Sequence, residues 1–92
     1  MTLWHTGSVM EAYQLFQYDS CPFCFRVRQF LQSAGIDMEI RDTLRDASAR
    51  AELLSGGGSG TVPCLRIEHA GEVRWLYESQ DIIEYLSRDH DA

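Results

Sequence analysis

Tyr18-Asp19-Ser20-Cys21-Pro22-Phe23-Cys24 is the stretch that decides the reading of this chain. An apolar, aromatic run precedes it (Tyr13, Leu15, Phe16), and an amphipathic run follows (Val27, Phe30, Leu31, Ala34). The two thiols therefore stand where a strand gives way to a helix. Pro22 suits the first helical turn, because its missing N–H would have no helical partner there. Cys21 is then the N-cap, with its sulfur over unpaired N–H groups and the positive end of the helix dipole. A thiolate is stabilised in that position. Cys24 lies one turn on, within reach of a disulfide and more shielded.

A lone CxxC is also half of a zinc site. Structural zinc commonly takes four ligands, from a second CxxC or a pair of histidines. This chain adds only Cys64, His69, His5 and His90, at no recognised ligand spacing, so no metal site is expected.

The chain has 92 residues, enough for one domain with a modest core. A net charge of −6 and the absence of a basic patch argue against nucleic acid as a partner. No apolar stretch is long enough to span a bilayer, and no basic-then-apolar start marks a signal peptide. Three cysteines, an odd number, argue against a disulfide-stapled secreted framework. The expected compartment is a reducing cytoplasm.

Residues 1–10 read as an N-terminal extension and 11–92 as the domain. A strand is expected from Tyr13 to Tyr18 and a helix from Pro22 to Ala34, stopped by Gly35. Arg26 and Arg28 lie off its apolar face and read as solvated. Ile36 to Ile40 alternates, which predicts a second strand. A weaker helix is expected over Ala47 to Leu54, capped by Asp46 or Thr43. Gly56-Gly57-Gly58-Ser59-Gly60 lacks the Lys-Ser/Thr of a P-loop and reads as a flexible connector. Strands at Thr61–Ile67 and Val73–Leu76 form a hairpin through His69-Ala70-Gly71. Ser79 caps a last helix that buries Ile82, Ile83, Tyr85 and Leu86. The order is β-α-β-α-β-β-α, with the first two strands parallel and the last two antiparallel.

Two further segments carry chemistry. Pro63, in Thr61-Val62-Pro63, cannot donate to a ladder and belongs at a strand start or bend. A cis bond there would free the Val62 N–H and C=O for an extended peptide, although only about 5–6% of X-Pro bonds are cis. Glu78-Ser79 reads as plain capping of the last helix. It also reads as a receptor, in which the helix N-terminus and the Ser79 hydroxyl take a carboxylate while Glu78 pairs with a neighbouring ammonium. Cys64 reads as a small buried strand residue or as a third redox thiol.

Together these three segments resemble the glutaredoxins. Tyr77-Glu78-Ser79-Gln80-Asp81-Ile82 is also similar to the N-terminal domain of glutathione transferases. The resemblance runs from about Tyr13 to Leu86. It implies an α/β, thioredoxin-like fold with a four-stranded mixed sheet and a cis Pro63. It implies Cys21 as nucleophile and Cys24 as resolving thiol. Glutathione is then expected among Tyr18, Pro22, Phe23, Val62, Pro63, Glu78 and Ser79. Tyr18 and Gly60 stand where many glutaredoxins carry a basic or polar residue, leaving Arg50 or Arg26 to receive the glycine carboxylate. Glu78-Ser79-Gln80-Asp81 replaces the glutaredoxin Gly-Gly-x-Asp-Asp.

The implied activity is glutathione-dependent thiol–disulfide exchange, with glutathione as reductant and no permanently bound cofactor. The implied partners are glutathione and disulfide-containing or glutathionylated proteins, acted on by a monomer. Rival readings are an iron–sulfur carrier, a transferase-like conjugating protein and a non-catalytic adaptor. Pro22 stiffens the turn against the first, and the second normally adds an all-helical domain.

Overall fold

The computed structural model describes residues 11–89; the expected extension at 1–10 and the last residues of the domain lie outside them. Strand β1 spans Ala12–Gln17 and helix α1 spans Pro22–Ala34. Cys21 is the N-cap of α1, in extended backbone, and Gly35 ends the helix in the left-handed region at φ 70°. Only glycine enters that region without a Cβ penalty, so the expected stop is the observed one.

Strand β2 spans Glu39–Asp42, later than the alternation predicts. Its parallel register with β1, from Gln14 opposite Glu39 to Gln17 opposite Asp42, sets its position. Ile36 and Met38 instead pack onto the core from the connecting segment. Helix α2 spans Ala47–Glu52, and its cap is Asp46, whose carboxylate accepts the N–H groups of Ser48 and Ala49. A single π-helical turn, Leu53–Gly57, follows directly. The glycine-rich segment therefore begins inside a helix rather than as a loose connector.

Strands β3 (Cys64–His69) and β4 (Glu72–Tyr77) form the expected hairpin. Ala70 and Gly71 join them at φ 54° and 83°, the two positive values of a type I′ turn. Helix α3 spans Ser79–Asp89. The sheet order is β2-β1-β3-β4, parallel between β1 and β2 and antiparallel elsewhere. This is the α/β thioredoxin-like architecture expected from the sequence.

Successive strand residues point to opposite faces, and each face has its own core. Leu15, Leu65 and Ile67 pack with Val27, Leu31, Ile82 and Leu86 of α1 and α3. Phe16 and Cys64 pack with Ala49 and Leu53 on the other side. Each such side chain contributes about 1.5–3 kcal/mol by leaving water. The topology then assembles the site. β1 runs into the Cys21 turn, β3 starts where β1 ends (Phe16 opposite Cys64), and β4 ends there too (Cys64 opposite Tyr77). Three segments distant in sequence meet at one edge.

Candidate active site

Cys21 is 5% exposed. Its sulfur accepts the Cys24 N–H at 3.2 Å and faces the Val62 carbonyl oxygen at 4.0 Å. Its own N–H donates to the Tyr18 carbonyl at 3.3 Å, which fixes the preceding turn. Cys24 is fully buried. Burial pushes its thiol up to about 12, helped by the hydrogen bond with Cys21 and opposed by Arg28. Cys24 is therefore a protonated thiol at neutral pH, one turn below the sulfur that faces the groove.

Arg28 is half-buried rather than solvated. Its guanidinium donates to Gln17 Oε1 and, at 3.5 Å, to the Asp19 carbonyl. It ties α1 back to the end of β1 and to the turn that carries Cys21.

The Val62–Pro63 bond is cis, as the resemblance implies. Among the described residues no backbone group bonds the Val62 N–H or carbonyl. The strand proper starts at Cys64 rather than Thr61, so Val62 is left as an open backbone edge beside the nucleophile.

At the start of α3 the cap is one residue earlier than expected. Glu78 has φ 77°, and its carbonyl accepts the Ile82 N–H at 3.0 Å, so Ser79 is the first helical residue. A left-handed conformation in a residue with a Cβ costs about 1–2 kcal/mol. Such strain concentrates where a site needs a particular geometry. Ser79 is 7% exposed, and no described group hydrogen-bonds its hydroxyl.

These segments enclose a groove of about 380 Å³. Phe23 and Arg26 of α1 form one wall, Thr61 to Pro63 the floor, and Tyr77 to Gln80 the other wall. Of the expected residues, Phe23, Val62, Pro63, Glu78 and Ser79 line it, and Cys21 adjoins it at the Val62 carbonyl. Pro22 and Tyr18 are not on its lining; Tyr18 meets the site through its carbonyl. Arg50 lies on α2 and is not on the groove lining. Arg26 lines it and donates to Gln80 Oε1 at 3.3 Å across the α1–α3 gap. Helical periodicity marks Arg26 as exposed, which it is, but its partner lies 54 positions away.

The wall at Tyr77 is braced from behind. The Tyr77 hydroxyl donates to the Ser59 carbonyl at 2.8 Å. Gly56 and Gly57 lie flat against Trp75 and Tyr77, with no room for a Cβ. Cys64 is fully buried beneath this wall; burial pushes its thiol up to about 11, against the pull of the Tyr77 hydroxyl. It is a core residue.

A dithiol at a helix N-terminus, opposite a cis proline on this mixed sheet, defines a thioredoxin-like protein. More narrowly, the chain belongs to the glutathione S-transferase N-terminal domain family, whose profile matches residues 20–89. Among solved structures it is similar to maleylacetoacetate isomerase from Anaeromyxobacter dehalogenans 2CP-1, determined with glutathione in the active site. The two share 26% identity at a TM-score of 0.69, over 88% of this chain and 38% of that one. The thioredoxin-like protein BC3987 is 30% identical at a TM-score of 0.66, over 84% of this chain and 97% of that one. Glutathione transferase Omega 1C from Trametes versicolor, at 18% identity and a TM-score of 0.70, shares the fold over 86% of this chain and 37% of its own. The chain thus spans under two-fifths of the isomerase and transferase and nearly all of BC3987. No curated protein matches it. Among the described residues no helix is long and apolar enough to cross a membrane.

Proposed function

We propose that the protein is a glutathione-dependent thiol–disulfide oxidoreductase of glutaredoxin type. The observation that carries this reading is the placement of two thiols in unlike environments. The Cys21 sulfur caps a helix, 4.0 Å from the open Val62 edge, while Cys24 is buried one turn below it. A glutathione-bound relative and membership of a glutathione transferase domain family support glutathione as the thiol.

The Cys21 thiolate attacks the glutathione sulfur of a mixed disulfide. The bond to the substrate sulfur breaks, and the substrate leaves as a thiolate that takes up a proton. A second glutathione thiolate then attacks the Cys21–glutathione disulfide, releasing oxidised glutathione and the Cys21 thiolate. With a protein disulfide, the Cys21 thiolate attacks one sulfur and the other leaves as a thiol. Cys24 then attacks the Cys21 sulfur, passing its proton to the departing substrate sulfur, which frees the substrate dithiol and leaves Cys21–Cys24 oxidised. Two glutathiones in turn reduce that disulfide and leave as oxidised glutathione. Exchange of this kind requires an ionised attacker and an acidic leaving thiol.

In this reading the ligand's cysteine pairs with Val62 as an added strand. Its γ-glutamyl carboxylate meets Arg26, the Ser79 hydroxyl and the first N–H groups of α3, and Glu78 takes the ammonium. Charge-assisted bonds of this type are worth about 1.5–3 kcal/mol each. Phe23, 58% exposed on the groove wall, offers the ligand an apolar surface.

Release of glutathione from a glutathionylated peptide, by the wild type and by Cys21→Ser, tests the proposal. Turnover by the wild type alone is the expected result. Family membership favours a second reading, glutathione conjugation or isomerisation of an electrophile. An aryl-halide conjugation assay separates the two.

A further inference from the structure

In the proposed function Val62 is the edge on which the ligand docks, and the segment that carries it is thinly held. Residues 59–62 lie between the π-turn and β3. None of them makes a backbone–backbone hydrogen bond to another described residue. Gly58 leads into the segment at φ 87°, and Gly60 sits inside it. Glycine loses more conformational freedom on being fixed than any other residue. The Leu54 side chain packs beside Gly60, an apolar contact from a flexible chain end.

Among the described residues, two groups outside the segment hydrogen-bond to it. One is the Cys21 sulfur, 4.0 Å from the Val62 carbonyl oxygen. The other is the Tyr77 hydroxyl, which donates to the Ser59 carbonyl at 2.8 Å. Ser59 passes that hold onward. Its Oγ accepts the Thr61 N–H at 3.3 Å and lies 2.6 Å from the Thr61 hydroxyl oxygen. Val62 is the next residue. Tyr77 itself is firmly placed. It ends β4 opposite Cys64, its ring rests on Gly57, and the Cys64 thiol faces the same hydroxyl. A fixed point of the sheet thus reaches, through Ser59 and Thr61, the residue beside the nucleophile.

We infer that Tyr77 is a positioning residue: its hydroxyl, acting through Ser59, sets the Val62 edge beside Cys21 before the ligand arrives. This rests on the proposed function, in which the ligand pairs with Val62. The hydroxyl proton is committed to Ser59, so its effect on the ligand runs through the edge. A loop already ordered in its bound form binds more tightly than one the ligand must order.

The experiment measures kcat and KM for release of glutathione from a glutathionylated peptide at saturating glutathione. The proteins are the wild type, Tyr77→Phe, Ser59→Ala and the double variant. Tyr77→Phe keeps the ring on Gly57 and is expected to raise KM by about two- to tenfold, the worth of one hydrogen bond, with kcat unchanged. Ser59→Ala cuts the same connection one step on and is expected to raise KM in the same range. The double variant is expected to match Tyr77→Phe, because both changes break one chain of contacts. The pH midpoint of Cys21 alkylation by iodoacetamide is expected to stay in place, since the cap of α1 is untouched. An unchanged KM in Tyr77→Phe would leave it a structural role alone and overturn the inference. A fall in kcat with a shifted alkylation midpoint would place its effect on the nucleophile, and additive losses in the double variant would mean direct contact with the ligand. Either also overturns the inference, and in all three cases the proposed function stands. A wild type that releases no glutathione removes both.

Discussion

Gly56→Ala is the substitution that most sharply tests how the groove wall is built. A Cβ at position 56 would lie 2.8 Å from Cε2 of Trp75 and 3.2 Å from Cη2, with Cζ2 closer still. Carbon atoms rest at about 3.5–4.0 Å, so the ring or the π-turn must move by at least about 0.7 Å. The ring has no slack, since Phe16 packs against it at a centroid distance of 5.4 Å and Arg66 lies over it at 5.8 Å. Overpacking of this kind costs about 1–3 kcal/mol. Alanine in a helical turn recovers about 0.5–1 kcal/mol of backbone entropy. The net loss is then up to about 2.5 kcal/mol, which at an m-value of about 2 kcal/mol/M lowers the urea midpoint by up to about 1.2 M. Gly60→Ala is the control, because its Cβ would meet only the flexible end of Leu54 at 3.2 Å. A change within about 0.5 kcal/mol is expected there. Equilibrium urea unfolding followed by tryptophan fluorescence reads both. A midpoint for Gly56→Ala at or above wild type would refute the packed-wall account and restore the flexible connector.

Other consequences concern the thiols and the α3 receptor. Cys24→Ser is expected to keep deglutathionylation, which needs one protein thiol, and to lose most dithiol reduction of protein disulfides; equal loss in the two assays would remove its resolving role. Ser79→Ala and Glu78→Gln are each expected to raise the glutathione KM by about tenfold, by loss of a charge-assisted bond; an unchanged KM in both would put the carboxylate site elsewhere. The buried thiols predict alkaline instability. Their native values, about 12 for Cys24 and about 11 for Cys64, lie above the 9.0 of a free thiol. Their contribution is thus whole below pH 9 and is lost as the pH climbs toward the native values, at up to about 1.4 kcal/mol per pH unit for each thiol. Cys64→Ala is expected to flatten that limb by one proton's worth, read from unfolding midpoints between pH 8 and 11.

The legible parts of the chain were those set by local chemistry. Proline at the first helical position and glycine after the last bound α1, and of the two candidate caps for α2, Asp46 and Thr43, the structure uses Asp46. The parts that escaped were set by distant partners. The place of β2 follows from its register against β1, which alternation within Ile36–Ile40 does not contain. The π-turn forms because Gly56 and Gly57 let Trp75 and Tyr77 approach, and those aromatic residues arrive from β4. Arg26 looked like any solvated helix residue, since the Gln80 that gives it a place in the groove comes from α3. Arg28 follows the same rule: its acceptors, Gln17 and the Asp19 carbonyl, lie outside α1. The dithiol, the proline segment and the Glu78-Ser79 start were legible as motifs. That they share one groove follows only once β1, β3 and β4 end at the same edge of the sheet.

The central claim is that Cys21 takes up glutathione. Mixing the Cys24→Ser variant with one equivalent of a glutathionylated peptide, quenching with acid and mapping the adduct by mass spectrometry tests it directly. The account predicts a single glutathione disulfide on Cys21 and release of the free peptide thiol. An adduct on Cys64, or peptide rather than glutathione bound at Cys21, would contradict it.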